Sequence, residues 1–383
     1  MTNVAIFTDH SFEEADGITT SLTAVLDCAP SRMCLRVYTV APQTIETGDD
    51  VALPGVLIPR SRVGPFDVYL PRFNTYIERA REDRIDVVHL TTPGPMGLAG
   101  VLTAWRLGLP LIGSFHSDLA SSIPMRTRRL YIRWLHSQCD RVLVQSEATR
   151  RLLVDAGTAP AVIGVWRTGV DTSMFSPEKR SSELRKLWTV SESRPALLYA
   201  GGVSLKDDVH MLPRIQARLF ELGIHHRFII AGPGQTHEAL RSHMRDAVFT
   251  RSLSGAEAAE VLASADVFVS PGGSDTAANI VLKAQACGLP VVVSEMGGPR
   301  ENMIDGTTGL VVAGTDATRW ADTVARVLRG PREAMSAAAC EFARGRSWEH
   351  ALEPLYRSYR EVARPYGADS IGIDHLVLPA RRR

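Results

Sequence analysis

Short apolar runs separated by longer segments of helical spacing organise this sequence. Residues 4–7, 35–40, 87–90, 111–115, 141–145 and 161–165 form a first series of such runs. Each is rich in Val, Ile and Leu, as strands buried on both faces must be. Between them, residues 18–26, 73–83 and 96–107 carry apolar positions at helical spacing. Strands alternating with helices predict a parallel α/β sheet with right-handed crossovers. The alternation pauses over 171–195 (DTSMFSPEKRSSELRKLWTVSESRP), a polar, Ser- and Pro-bearing stretch that reads as a linker around one short helix. A second series then predicts strands at 196–199, 227–231, 248–249, 267–270, 290–294 and 309–312. Helices are predicted at 209–222, 236–245, 256–263 and 277–286.

This pattern predicts two doubly wound, Rossmann-like domains, one over 1–175 and one over 190–345. A C-terminal segment, 346–383, with a helix at 348–363, is expected to pack back onto the first domain. Ligand crevices of such domains lie at the carboxyl ends of their strands. Two crevices facing each other would make one cleft, with a donor in one domain and an acceptor in the other.

Composition narrows the class. The 383 residues suit two domains at roughly 100–200 residues each. A net charge of +1 gives no global field for nucleic acid. The five cysteines, Cys28, Cys34, Cys139, Cys287 and Cys340, form no CxxC or zinc-type pair and read as reduced thiols. With an N-terminus, MTNVAIFTDH, that lacks a secretory pattern, they predict a cytoplasmic protein. No apolar run approaches the roughly 20 residues that span a bilayer, and no metal-ligand cluster is present. RTRRLYIR at 126–133, followed by Trp134, is basic and aromatic. It reads as a solvated helix face, and less readily as a peripheral membrane contact.

The most informative stretch is ASADVFVSPGGSDTAANIVLKAQACGLPVVVSEMGGPRENMIDGTTG, residues 263–309. A strand ends in Gly272-Gly273, and a helix begins near 275–278. Free N–H groups and the positive dipole end at such a helix start suit an anionic or hydroxyl-rich ligand. The plainer reading is a helix capped by Ser274 or Asp275.

This stretch resembles the C-terminal signature of the large retaining, GT-B-fold glycosyltransferase family, which includes bacterial mannosyltransferases and sucrose synthases. Other segments agree in order. Phe7-Thr8-Asp9 through Gly17 looks like the family's first strand and loop, and Gly113-Ser-Phe-His-Ser-Asp118 like its acceptor-side histidine motif. Thr168-Gly-Val-Asp-Thr172 with Phe175 looks like the interdomain segment, Gly232-Pro-Gly234 like a second-domain glycine loop, and Ser347-Trp348 like the start of a returning helix. The resemblance implies retaining, metal-independent transfer of a sugar from a UDP- or GDP-sugar to a hydroxyl acceptor, with no cofactor. The departing phosphate would take the acceptor proton, so no carboxylate pair at glycosidase spacing is needed.

The same resemblance implies the site residues. His116 and Asp275 would stand at the reacting sugar. Gly202, Lys206, Gly232, Gly234, Thr276, Ala277, Ala278, Asn279, Lys283 and Glu301 would bind the donor. Gly17, Glu14, Asp16 and Asp118 would line the acceptor pocket. These acids would favour a cationic acceptor, such as an aminocyclitol of antibiotic biosynthesis, although a solvated acidic loop is the simpler reading.

Three of the family's usual donor contacts are altered, at Gly202, Asp207 and Lys283, while Asp275 is a plausible replacement for a glutamate. The family's Glu-x7-Glu pair is Asp275 and Lys283 here, and lysine cannot accept hydrogen bonds from ribose hydroxyls. The family's Gly-Arg-x4-Lys is here Gly201-Gly-Val-Ser-Leu-Lys-Asp207. Gly202 replaces the arginine, Asp207 the lysine, and Lys206 stands one residue early. An acid beside a diphosphate repels it, so Lys206 or Lys283 would have to supply the missing charge. These departures keep open a catalytically degenerate relative that acts through a partner. A lipid-acceptor mannosyltransferase is a further alternative, and a nucleotide-sugar epimerase, the runner-up within the fold, is disfavoured by the transferase-like helix at Asp275.

Overall fold

In chain order the computed structural model gives β1 (Thr2–Phe7), α1 (Gly17–Asp27), β2 (Met33–Ala41), β3 (Ile45–Thr47), β4 (Asp50–Ile58) and β5 (Val68–Pro71). Next come α2 (Phe73–Glu82), β6 (Val87–Leu90), α3 (Pro95–Leu107), β7 (Leu111–Phe115), α4 (Met125–Ser137), β8 (Arg141–Val144), α5 (Glu147–Asp155) and β9 (Ile163–Val165). The chain continues with α6 (Ser182–Leu187), β10 (Ala196–Ala200), α7 (Leu212–Glu221), β11 (Arg227–Ala231), α8 (His237–His243), β12 (Val248–Thr250), α9 (Gly255–Ser264) and β13 (Val267–Ser270). It ends with α10 (Asp275–Ala286), β14 (Val291–Ser294), β15 (Gly309–Val312), α11 (Ala317–Arg329), α12 (Arg332–Arg344) and α13 (Trp348–Val362). The structure describes residues 1–9, 17–41, 45–48, 50–58, 68–115, 125–204, 207–250, 253, 255–273 and 275–363.

Packing divides the chain into two units. One comprises Met1–Glu14, Ala29–Leu143 and Tyr356–Arg383; the other comprises Ala15–Cys28 and Val144–Leu355. Within the first unit the strand order is β3-β4-β2-β1-β6-β7-β8, with β5 on β4. β1 lies parallel to β2 and β6, with Val4 opposite Leu35 and Val87. Residues 4–7 of β1 are fully buried. Phe7 meets Tyr38 edge-on at 5.1 Å and Tyr76 at 5.9 Å. Both phenols find acceptors, Tyr38 on Asp83 at 2.6 Å and Tyr76 on the Thr39 carbonyl at 2.7 Å, so the cluster leaves neither hydroxyl stranded. The antiparallel pairs β3–β4 and β4–β5 depart from the purely parallel expectation. Pro54 and Gly55 interrupt the apolar pattern of β4, so its sequence gives no clean strand signal.

The second unit carries a six-stranded sheet in the order β12-β11-β10-β13-β14-β15, with parallel pairs throughout. Successive residues of β10 enter opposite cores, as the pleat requires. Ala196 and Leu198 pack with Val281, Leu282 and Ala343 on one face. Leu197 and Tyr199 pack with Ile215, Leu219, Trp320 and Val324 on the other. This unit is a three-layer α/β/α sandwich, as the doubly wound prediction requires.

The predicted linker is tied down rather than loose. Phe175 and Trp188 are buried. Asp266, just before β13, accepts from Arg180 at 2.8 Å, Arg185 at 3.0 Å and the Ala196 N–H at 2.8 Å. Burial alone would raise this carboxyl, but the Ala196 N–H and the two guanidiniums hold it below its ordinary range. The predicted strand at 161–165 is shorter than expected: Pro160–Val162 form a 3-10 turn, and only Ile163–Val165 extend. Two family-like segments also meet each other. The Val170 N–H donates to the Arg346 carbonyl at 2.9 Å, and a Cβ on Gly169 would lie 2.6 Å from the Trp348 backbone.

Candidate active site

The second sheet reverses its order at β10, whose neighbours β11 and β13 lead to opposite edges. Doubly wound sheets open their ligand crevice at the carboxyl end of such a strand. The loops after β10 and β11 meet there, backbone against backbone. Gly201 N donates to Ala231 O at 2.9 Å, Val203 N to Pro233 O at 2.8 Å, and Thr236 Oγ1 to Val203 O at 2.5 Å. Gly232 adopts φ +127°, and a Cβ there would overlap the Gly201 carbonyl. A Cβ on Gly234 would overlap the Val203 carbonyl. These two expected donor positions are glycine because the loops leave no room for a side chain.

Gly202 and Asp207 account for each other. A Cβ at position 202 would lie 2.8 Å from Asp207 Oδ2, the oxygen to which Ser204 Oγ donates at 2.6 Å. Tyr199 fixes the same loop by donating to the Gly202 carbonyl at 2.5 Å. Burial first, then the charges of Asp207 and Asp208, raise this phenol above its ordinary pKa. The loop's own acid therefore fills the space beside the position where the family carries arginine. Lys206 lies outside the described residues.

α10 begins at Asp275. The side chains of Asp275, Thr276 and Ala277 lie outside what the structure describes. Ala278 is buried, and its carbonyl accepts from Asn302 Nδ2 at 2.9 Å. Gln285 Nε2 in turn donates to the Asn302 carbonyl. The Lys283 ammonium stands 5.1 Å from the centre of the Phe175 ring, a cation–π contact, and burial lowers its pKa. Its partner in the structure is thus the aromatic ring of the 168–175 segment.

Glu301 has a role that the sequence did not suggest. Its carboxylate accepts from the N–H groups of Glu147 and Ala148, each at 2.8 Å. It supplies the anion at the start of α5, while Ser146 caps the same helix through the Thr149 N–H at 3.0 Å. The Ser146 cap is readable in the sequence; the contact with Glu301, more than 150 residues away, is not. Ala278, Asn279 and Glu301 share a polar recess with Gln145, Ser146 and Thr168, about the size of one water molecule. Gln145 Nε2 and Thr168 Oγ1 are buried there with no hydrogen-bond partner among the described residues.

In the first unit, Asp9 plays the part that Glu301 plays in the second. Its carboxylate accepts from the Met96 N–H at 2.9 Å, in the first turn of α3, and from Thr92 Oγ1. Gly17 opens α1, and β7 ends at Phe115, the residue before His116. His116, Asp118, Glu14 and Asp16 lie outside the described residues. Among the described residues, no group of three His, Cys, Asp or Glu side chains could hold a metal ion, and no helix is long and apolar enough to cross a membrane.

Comparison with known proteins places this geometry. Residues 17–174 match Glycosyltransferase Family 4, and residues 194–330 match Glycosyl transferases group 1. A GDP-mannose-dependent alpha-mannosyltransferase of Mycobacterium tuberculosis is 32% identical over 378 residues, covering 94% of this chain and 96% of that protein. A D-inositol 3-phosphate glycosyltransferase of Thermobifida fusca is 27% identical over 369 residues, covering 86% and 85%. Among solved structures, HepE of Anabaena in complex with UDP and glucose aligns with a TM-score of 0.75 at 14% identity, covering 94% of this chain and all (100%) of that one. Sucrose-phosphate synthase from Thermosynechococcus elongatus aligns with a TM-score of 0.73 at 18% identity, covering 94% and 99%. Sequence and fold agree that the chain is a member of the GT-B-fold glycosyltransferases, with a Family 4 region followed by a group 1 region.

Proposed function

We propose that the crevice at the carboxyl end of β10, together with the first turn of α10, binds the diphosphate of a nucleotide-sugar, and that the protein transfers the hexosyl group to a hydroxyl of a small acceptor with retention of configuration. The supporting observation is the glycine junction of Gly201, Gly232 and Gly234, which packs the loops after β10 and β11 against each other at the reversal of the sheet, where doubly wound domains bind their ligands. Two relatives that align over 94% of this chain are GDP-mannose-dependent, so GDP-mannose is the first donor to try ahead of UDP-sugars. The D-inositol 3-phosphate enzymes among the relatives make a cyclitol the first acceptor class, and an aminocyclitol would suit the acids Glu14, Asp16 and Asp118.

In this reading the free N–H groups of the first turn of α10, residues 275–277, meet the diphosphate, Asp275 holds a donor-sugar hydroxyl, and His116 stands on the acceptor side. The bond between the anomeric carbon and the diphosphate oxygen breaks as the acceptor oxygen bonds to the same face. The departing phosphate oxygen takes the acceptor proton. No metal or cofactor is assigned, and the reaction is placed in the cytoplasm.

The test is incubation with GDP-mannose and a panel of inositol, inositol phosphate and aminocyclitol acceptors, with proton NMR of the product. An α-linked product is expected, and a β-linked product would refute retention. Donor that binds but is never consumed, with any acceptor, would support a non-catalytic protein instead, for which the Asp207 carboxylate beside Gly202 is the motivating observation.

A further inference from the structure

Arg167, which follows β9, and Arg346, which precedes α13, line a groove of about 190 Å³ with Val165, His350 and Pro354. No carboxylate lines it among the described residues. Both arginines are half-buried. Arg346 lies over the Phe342 ring at 5.2 Å, and Arg167 donates to the Glu301 backbone carbonyl at 3.4 Å. Neither guanidinium forms an ion pair among the described residues, although arginines elsewhere in the chain do. The acid whose charge reaches Arg346 is Glu301, and both of its carboxylate oxygens are committed to the N–H groups of α5.

Two like charges held at half burial with no ion-pair partner among the described residues are unfavourable, and the charge of Glu301 offsets this only in part. Burial, and then the neighbouring Arg167, hold the Arg346 guanidinium below its ordinary pKa. An anion between the two would remove that penalty. Guanidinium forks match the oxygens of a phosphate group better than those of a spherical ion. His350 stands beside them: its Nδ1 is hydrogen-bonded with Ser347 Oγ at 2.8 Å, which orients the ring, and a protonated ring would donate to an anion through Nε2.

We propose that this groove binds a phosphate group, held by Arg167 and Arg346 with His350 at its rim. The site lies where two chain segments cross, since the Val170 N–H bonds to the Arg346 carbonyl and Gly169 packs against Trp348. A phosphate there ties the segment after β9 to the start of α13. The ligand is either free phosphate or the phosphate of a phosphorylated metabolite.

Calorimetric titration of inorganic phosphate into the full chain, in a buffer free of sulfate, tests the site. One saturable site is expected. Arg346→Gln should weaken it by about tenfold or more, the loss of a charge-assisted hydrogen bond. His350→Gln should weaken it by less. If Arg346→Gln loses the circular dichroism of the folded chain, Arg346→Lys keeps the charge without the fork and should still bind more weakly than the wild type. A parallel titration with glucose 6-phosphate separates the sources: tighter binding than inorganic phosphate assigns a phosphorylated metabolite, and equal or weaker binding assigns the free ion. Absence of saturable binding to the wild type, or an unchanged affinity in the Arg346 variants, overturns the site.

Discussion

Asp207 fills the space beside Gly202: its Oδ2 stands 2.8 Å from where a Cβ at 202 would lie, and Ser204 holds it there at 2.6 Å. A side chain at 202 would displace the carboxylate and break the Ser204 hydrogen bond. Gly202→Ala should therefore destabilise the protein by about 1 kcal/mol. The loss should largely vanish when Asp207→Ala is already present, giving a coupling energy of at least about 0.5 kcal/mol. Urea unfolding of the two single variants and the double variant measures it, and strictly additive losses would contradict the pairing.

Glu301 stabilises α5 through its carboxylate rather than through packing. Glu301→Gln removes the charge at the helix N-terminus and keeps one acceptor oxygen, so a loss of about 1–2 kcal/mol is expected. Hydrogen exchange should locate that loss at the first turn of α5, the amides of Glu147 and Ala148. Exchange unchanged at those amides would show that the contact carries no weight.

The fold was largely legible because the parallel strands are predominantly apolar: β6, β7 and β13 match their predicted ends. α11 was not among the predicted helices, although its sequence carries a signal. Asp316 accepts from the Thr318 N–H at 3.1 Å, and Trp320, Val324 and Val327 follow at helical spacing. The antiparallel edge of β3, β4 and β5 was not legible, since Pro54 and Gly55 break the pattern on which such a reading depends. In the site, Gly232 and Gly234 were legible because close backbone approach selects glycine wherever it occurs. The contacts of Glu301 with α5 and of Lys283 with Phe175 join residues far apart in the chain, and periodicity carries no information about such pairs. The exchange at Gly202 and Asp207 was visible as two departures; that one occupies the other's space required coordinates.

Asp266 anchors the connecting segment to the second sheet. Removing its carboxylate strands Arg185, which is largely buried, and frees Arg180, whose side chain is 43% exposed and can rehydrate. That exposure places the cost of Asp266→Ala near the low end for a buried pair, about 3 kcal/mol. Denaturant titration measures it, and limited proteolysis should show new cleavage around 177–187. A stable variant with no new cleavage would refute the anchoring role.

Acid sensitivity should begin well above the carboxylate range. Burial lowers the pKa of His136 to about 4 and also lowers that of His226. In the unfolded chain both take up a proton near pH 6.5, while the folded chain resists until lower pH. Stability is therefore full above about pH 6.5 and is lost as the pH falls toward 4, with His136 contributing about 3 kcal/mol. The slope of unfolding free energy against pH in that window should flatten in His136→Gln. An unchanged slope would contradict burial as the cause.

The central claim is that a nucleotide-sugar diphosphate sits at the carboxyl end of β10, beside the Asp207 carboxylate. Calorimetric titration of GDP-mannose into the wild type and into Asp207→Asn tests it most directly. Removing a like charge next to the diphosphate should tighten binding by about threefold to tenfold, equivalent to roughly 1 kcal/mol. Saturable binding that tightens in Asp207→Asn would support the placement. No binding to folded wild-type protein, or the same affinity in both, would contradict it.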